Sequence, residues 1–202
     1  MIRENLQDYN STKPSVVTIG TFDGVHIGHT KIINQLTTIS LKNNLKSILL
    51  SFFPHPKMVL QNDNELKLIN TIQEKEGLLN SLNLDYLIIK EFTKEFSRLS
   101  ALEFVRDILV NKLNAKHIII GYDHHFGRNR TANIEQLKEF GELYDFKVTE
   151  ILAQDIDDIA ISSTKIRKAL INGEIKLANK FLGYNFFFSG DVVHGNNIGK
   201  TI

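Results

Sequence analysis

The sequence predicts a doubly wound α/β fold built on a parallel sheet. Three observations point there. Short apolar runs recur along the chain and are continuous rather than alternating, which suits strands covered on both faces. Patterns with helical spacing separate them. Glycines stand where two of the runs end, at Gly20 and Gly121, the carboxyl ends at which such sheets bind ligands.

The runs read as strands cover residues 15–20, 46–53, 84–90, 116–121 and 146–152, and the helical patterns cover roughly 30–43, 71–81, 101–114 and 131–144. In the third helix Leu102, Val105, Ile108, Leu109 and Lys112 repeat every three to four residues. Ser100 is placed to cap it, with Glu103 completing a capping box. After Asp155 the character changes. Ile161-Ser162-Ser163-Thr164-Lys165-Ile166-Arg167 leads into a helix that stops at Gly173, and a second short helix stops at Gly183. From Phe186 a run rich in phenylalanine and valine reads as a β segment. The expected division is a first domain at 1–184 and the start of a second, truncated domain at 185–202.

Composition narrows the function classes. The 202 residues are 42% apolar and 23% charged, enough for a sizeable core. A net charge of +1 gives no support for nucleic-acid binding, which draws on a basic excess. The absence of cysteine removes thiolate nucleophiles and zinc–thiolate sites, and agrees with a reducing compartment. The first residues carry early charges and do not read as a secretory signal. No apolar run approaches the roughly 20 residues that span a bilayer. The expectation is a cytoplasmic chain with no nucleic-acid or membrane partner; protein partners are left open.

Four stretches carry candidate chemistry. The first runs from Gly20 through Phe22, Asp23, Gly24, His26 and Gly28 to His29, between a strand and a helix start. A phosphate there meets backbone N–H groups and the positive end of a helix dipole, and Gly28 lets it approach closely. The two imidazoles are placed to stabilise charge on a leaving pyrophosphate; capping of the helix is the plain alternative. Gly20, Gly24 and Gly28 are four apart and no Gly-Lys-Ser/Thr follows, which excludes both the dinucleotide fingerprint and a Walker loop. No acidic third ligand stands near the histidines, so no protein-held metal is expected.

The second stretch is Ser162, Ser163 and Thr164 with Arg167 one turn on. Hydroxyls at a helix start either cap it or bind phosphate with it, and a guanidinium holds phosphate oxygens in pairs. The third follows a strand as Gly121-Tyr122-Asp123-His124-His125-Phe126-Gly127-Arg128. There Asp123 suits a ribose or an adenine amine, and Phe126 offers an aromatic face. The fourth is Phe53-Pro54-His55-Pro56, where two prolines predict an extended, rigid loop that either lines a flat ligand or serves as a stiff connector.

In this order and combination, the four stretches resemble the N-terminal adenylyltransferase module of the bacterial bifunctional riboflavin kinase/FMN adenylyltransferase (FAD synthetase) family. Its pattern is Gly-x-Phe-Asp-Gly-Val-His-x-Gly-His, Phe-x-Pro-His-Pro, Gly-x-Asp-x-x-Phe-Gly and Ile-Ser-Ser-Thr-x-Ile-Arg. The resemblance implies a Rossmann-like doubly wound parallel sheet of the nucleotidyltransferase type, followed by a truncated β segment. It implies a reaction in which ATP, with Mg²⁺ on its phosphates, and FMN give FAD and pyrophosphate.

By matching positions, His26, His29 and Arg167 are the catalytic residues. Gly20, Phe22, Asp23, Gly24, Gly28, Asp123, Ser162, Ser163 and Thr164 bind ATP. Phe53, Pro54, His55, Pro56, Phe126 and Arg128 take the flavin. The chain stops short of the Pro-Thr-Ala-Asn segment of the family's kinase barrel, so no kinase activity is expected of it. The His124-His125 pair stands where many relatives have an aromatic and a basic residue. The competing readings are a related small nucleotidyltransferase with another acceptor, and a nucleotide or flavin module without catalysis.

Overall fold

A computed structural model describes residues 1–63, 65–121, 125–128, 131–151 and 161–195. Its centre is a six-stranded sheet in the order β1 (Ile2–Asn5), β4 (Tyr86–Glu91), β3 (Lys46–Phe53), β2 (Ser15–Ile19), β5 (Ala115–Gly121), β6 (Lys147–Ile151). Every pairing is parallel. From β2 the chain first builds outward through β3 and β4, then returns to lay β5 on the other side. The order therefore reverses at β2, and the crevice beyond its carboxyl end is where such sheets take ligands.

The continuous apolar runs are explained by cover on both faces. Val16, Leu49, Leu87 and Ile119 pack with Ile33 and Leu36 of α1 (Ile27–Asn43) and Leu79 of α3 (Ile72–Asn80). Their strand neighbours Val17, Ile48, Leu50, Ile88, Ile118 and Ile120 turn to the other face. There they meet Val105, Ile108 and Leu109, and Leu137 of α5 (Ile134–Tyr144). The segment carrying the first three starts as α4 (Ala101–Glu103) and continues as a π-helix over Phe104–Lys112. Ser100 and Glu103 form the expected capping box, and Thr71 and Glu74 form a second one on α3.

A third, smaller cluster joins Ile69 to Ile166 of α6 (Ser163–Ile171) and to Phe181 and Leu182 of α7 (Ile175–Leu182). This cluster lies beside the glycine turn that follows β2. A Cβ at Gly24 would stand 2.9 Å from the Ile69 side chain and 3.4 Å from Leu182, and its φ of +86° is one that glycine adopts freely.

One strand was not expected, and two expectations need correction. The strand Ile2–Asn5 is not legible from its charged residues; it is a sheet edge, mostly exposed, and its side chains face water. The Pro54–Pro56 stretch is not extended throughout, because Pro56 opens a short helix, α2 (Pro56–Leu60), capped by His55. The β segment expected from Phe186 forms no strand over residues 185–195. That stretch is held by side chains instead: Phe186 N–H donates to Asn179, and Ser189 donates from both N–H and hydroxyl to Glu74.

Candidate active site

The turn after β2 holds two residues in the left-handed region, Phe22 at φ 47° and Val25 at φ 35°. For a β-branched valine this is a strained conformation that persists only where surroundings over-determine it. Those surroundings are visible. The Asp23 carboxylate accepts from the Ile69 N–H at 2.9 Å and from Arg167 at 3.0 Å, and its own carbonyl accepts from the Ser163 hydroxyl at 2.8 Å. Tyr184 donates to the Gly24 carbonyl at 2.6 Å. The turn that starts α1 is thus tied to the first turn of α6, so two helix N-termini lie beside one turn.

His26 caps α1, with Nδ1 accepting the His29 N–H at 3.4 Å. The helix therefore begins at Ile27, three residues before the apolar pattern announces it. An imidazole accepting at Nδ1 carries its proton on Nε2 and offers that N–H as a donor. The His26 and His29 rings stack with centroids 3.6 Å apart, and Phe22 stacks on the far side of His29 at 4.4 Å. The Nδ1 of His29 is enclosed without a partner.

Burial lowers the His26 pKa to about 4. His29 is likewise held well below the usual imidazole range, by burial first and then by the charges of His26 and Lys75. Both rings are therefore neutral donors near pH 7.

This has a consequence for stability. Between pH 6.5 and about 4 the unfolded chain protonates His26 while the folded chain does not, so unfolding is favoured as pH falls. The expected loss over that window from His26 is about 3 kcal/mol, with His29 adding in the same direction. Urea unfolding at pH 7.5 and pH 4.5 checks it; a His26→Asn variant should show the smaller difference between the two.

Gly20 directly follows β2, and Gly28 is buried in the first turn of α1. Phe22 is 4% exposed and supports His29 from below rather than lining an open pocket. Ser162 caps α6, Ser163 is spent on Asp23, and Thr164 is exposed on the same turn. Arg167 is ion-paired with Asp23, its side chain 14% exposed, and its Nε is buried without a partner. Asp123 and His124 lie outside the described residues.

The expected flavin residues are less unified. His55 is close enough to feel the charges of Asp23, Arg167 and Lys75, though burial is what chiefly lowers its pKa. Phe53 and Pro54 line an open cleft with Leu68, Asn70 and Ile72, and that lining includes none of His26, His29 and Arg167. Phe126 is buried in the core, its ring 6.0 Å from Phe104, and Arg128 is exposed beside it.

The match with known proteins bears on the same turn. A family model described as FAD synthetase matches residues 8–165, from before β2 into the first turn of α6. The chain belongs to the FAD synthetase family. A bifunctional riboflavin kinase/FMN adenylyltransferase of Buchnera aphidicola from Schizaphis graminum is 46% identical over 98% of this chain and 63% of its own length. The Escherichia coli K12 protein of the same description is 35% identical over 93% of the chain and 60% of its length. A Listeria monocytogenes FAD synthetase is 34% identical, with 93% and 76% covered. The chain thus spans about three-fifths of the length of the bifunctional relatives.

Among solved structures, one titled as a macrolide-efflux protein from Streptococcus pneumoniae superposes with a TM-score of 0.87. It is 32% identical, with 99% of this chain and 65% of that chain covered. The parallel-sheet fold is what the two share. Among the described residues, no helix is long and apolar enough to cross a membrane.

One buried residue beside this turn was not singled out from the sequence. Lys75 is 8% exposed, and its Nζ donates to the Thr21 carbonyl at 2.6 Å. The available signal was its position on α3 four residues before buried Leu79, on the face a helix turns to its core.

Proposed function

We propose that the chain transfers the adenylyl group of ATP to FMN, giving FAD and pyrophosphate. The observation that carries the reading is the turn from Asp23 to His29, where two imidazole donors, an arginine and two helix N-termini meet beyond the carboxyl end of β2. The family match and the bifunctional relatives supply the acceptor.

An FMN phosphate oxygen attacks the α-phosphorus of ATP in line. A new P–O bond forms, the bond to the β-phosphate bridging oxygen breaks, and its electron pair leaves with pyrophosphate. A phosphate monoester is already ionised at neutral pH, so no general base is needed. What the reaction needs is alignment and relief of negative charge. His26 Nε2–H and His29 are assigned to the phosphates, as donors that remain neutral. Arg167 is assigned to the triphosphate from the α6 side, anchored at one nitrogen by Asp23 with further N–H groups to offer. Gly20, Gly24, Gly28, Asp123, Ser162 and Thr164 complete the assigned ATP site; Ser163 and Phe22 support it from behind.

ATP enters as its Mg²⁺ complex. Among the described residues no three His, Asp or Glu side chains gather to hold a cation. Asp23 is committed to Arg167 and Ile69. The ion is assigned to the ATP phosphates, as the family resemblance implies. The flavin is assigned to the Phe53–Pro56 side and the Phe126–Arg128 stretch. Residues 1–184 are assigned to this activity and 185–202 to the start of a further domain; phosphorylation of riboflavin by a longer parent protein belongs to the same proposal.

The test is formation of FAD and pyrophosphate from MgATP and FMN, with riboflavin in a parallel tube. FAD from FMN, and no FMN from riboflavin, is the expected result. A folded chain that binds ATP and adenylylates another phosphorylated acceptor, but not FMN, overturns the reading.

A further inference from the structure

We infer that Lys75 is a positioning residue for the nucleotide phosphates, pinning the Thr21 carbonyl and setting a buried positive charge behind the His26–His29 pair. The inference rests on the adenylyl-transfer reading of the site and adds to it a residue that reading does not use.

The geometry has three parts. Lys75 Nζ donates to the Thr21 carbonyl at 2.6 Å, and the Ser51 hydroxyl donates to the same oxygen at 3.2 Å. That carbonyl sits one residue before Phe22, whose left-handed backbone delivers its ring beneath His29. Moving Thr21 therefore moves the support of a proposed phosphate donor.

The second part is charge. Lys75 is buried, and among the described residues no carboxylate lies within ion-pair distance of it. Asp23, which it senses at longer range, is bound to Arg167. Asp23 is thus committed to Arg167, and an ammonium without a paired anion is costly to hold in the interior. The third part is direction. The bond to the Thr21 carbonyl turns the ammonium toward the glycine turn rather than the outer side of α3. A polyphosphate arriving at that turn supplies the missing negative charge, which the ammonium attracts from behind the histidine pair.

The experiment compares Lys75→Met, Lys75→Gln and Lys75→Arg in the full chain. It measures dissociation constants for MgATP and for adenosine, and checks folding by circular dichroism and thermal unfolding. Met and Gln are expected to weaken MgATP about tenfold or more, as loss of a charge-assisted contact does, while adenosine changes by less than about threefold. Arg keeps the charge and is expected to stay within about threefold of the parent for both. Where Met does not fold, Gln against Arg carries the comparison.

Unchanged MgATP affinity in folded Met or Gln variants overturns the inference. So does an equal loss for adenosine and MgATP, or an equal loss in Arg and Gln, since each marks a purely structural lysine. FAD formation by the parent chain is recorded alongside. Charge-dependent MgATP binding in a parent that makes no FAD from FMN sinks the FMN reading and supports the role of Lys75.

Discussion

Replacing His29 with alanine is expected to lower kcat for FAD formation by roughly 10²- to 10³-fold, the usual cost of removing one preorganised donor from a site of developing charge. The ring lies between His26 at 3.6 Å and Phe22 at 4.4 Å, so its orientation is set before substrate arrives. It is neutral near pH 7, because burial and the neighbouring charges of His26 and Lys75 oppose protonation. A neutral donor in a partly enclosed site gains most when charge moves onto the oxygen it faces, which happens as pyrophosphate departs. The loss should therefore fall on kcat more than on the KM for ATP.

Alanine also opens space in the stack, so His29→Asn serves as the second variant, with an amide donor in place of the imidazole. Steady-state kinetics, with far-ultraviolet circular dichroism as the fold check, decide the matter. A folded alanine variant with near-normal FAD production removes the phosphate role assigned to His29.

The parts legible in the sequence are those set by local pattern. The central strands were visible because burial on both faces demands continuous apolar runs, as the Val16/Val17 and Leu49/Leu50 pairs show by turning to opposite sides. The Ser100–Glu103 box was visible because capping uses neighbours. What stayed hidden depends on partners far along the chain. Asp23 read as a nucleotide-lining acid, yet it binds a guanidinium 144 residues away. Lys75 drew no reading from the sequence, because its bond is to the Thr21 carbonyl, 54 residues earlier. His26 read as a phosphate ligand with capping as the alternative; the cap at Nδ1, which leaves Nε2 to donate, depends on the exact start of the helix.

Asp23→Ala is expected to destabilise the chain by about 3–5 kcal/mol, the cost of breaking a buried ion pair from one side. For a chain of this length that lowers Tm by roughly 6–20 °C. The carboxylate is 2% exposed, and its removal strands the Arg167 guanidinium and the Ile69 N–H together. It also releases the turn whose positive φ angles at Phe22 and Val25 need an anchor.

The charge and the anchor separate by choice of variant. Asp23→Asn keeps an oxygen for the Ile69 N–H and should cost less than alanine. Adding Arg167→Met to Asp23→Ala removes the stranded cation, so the double variant should be more stable than the sum of the singles. A thermal or urea double-mutant cycle measures that coupling. Additive losses would mean that the pair is a by-product of packing. Strong coupling with lost ATP binding in both singles would mean that Asp23 holds Arg167 at the mouth of the turn, ready for a phosphate.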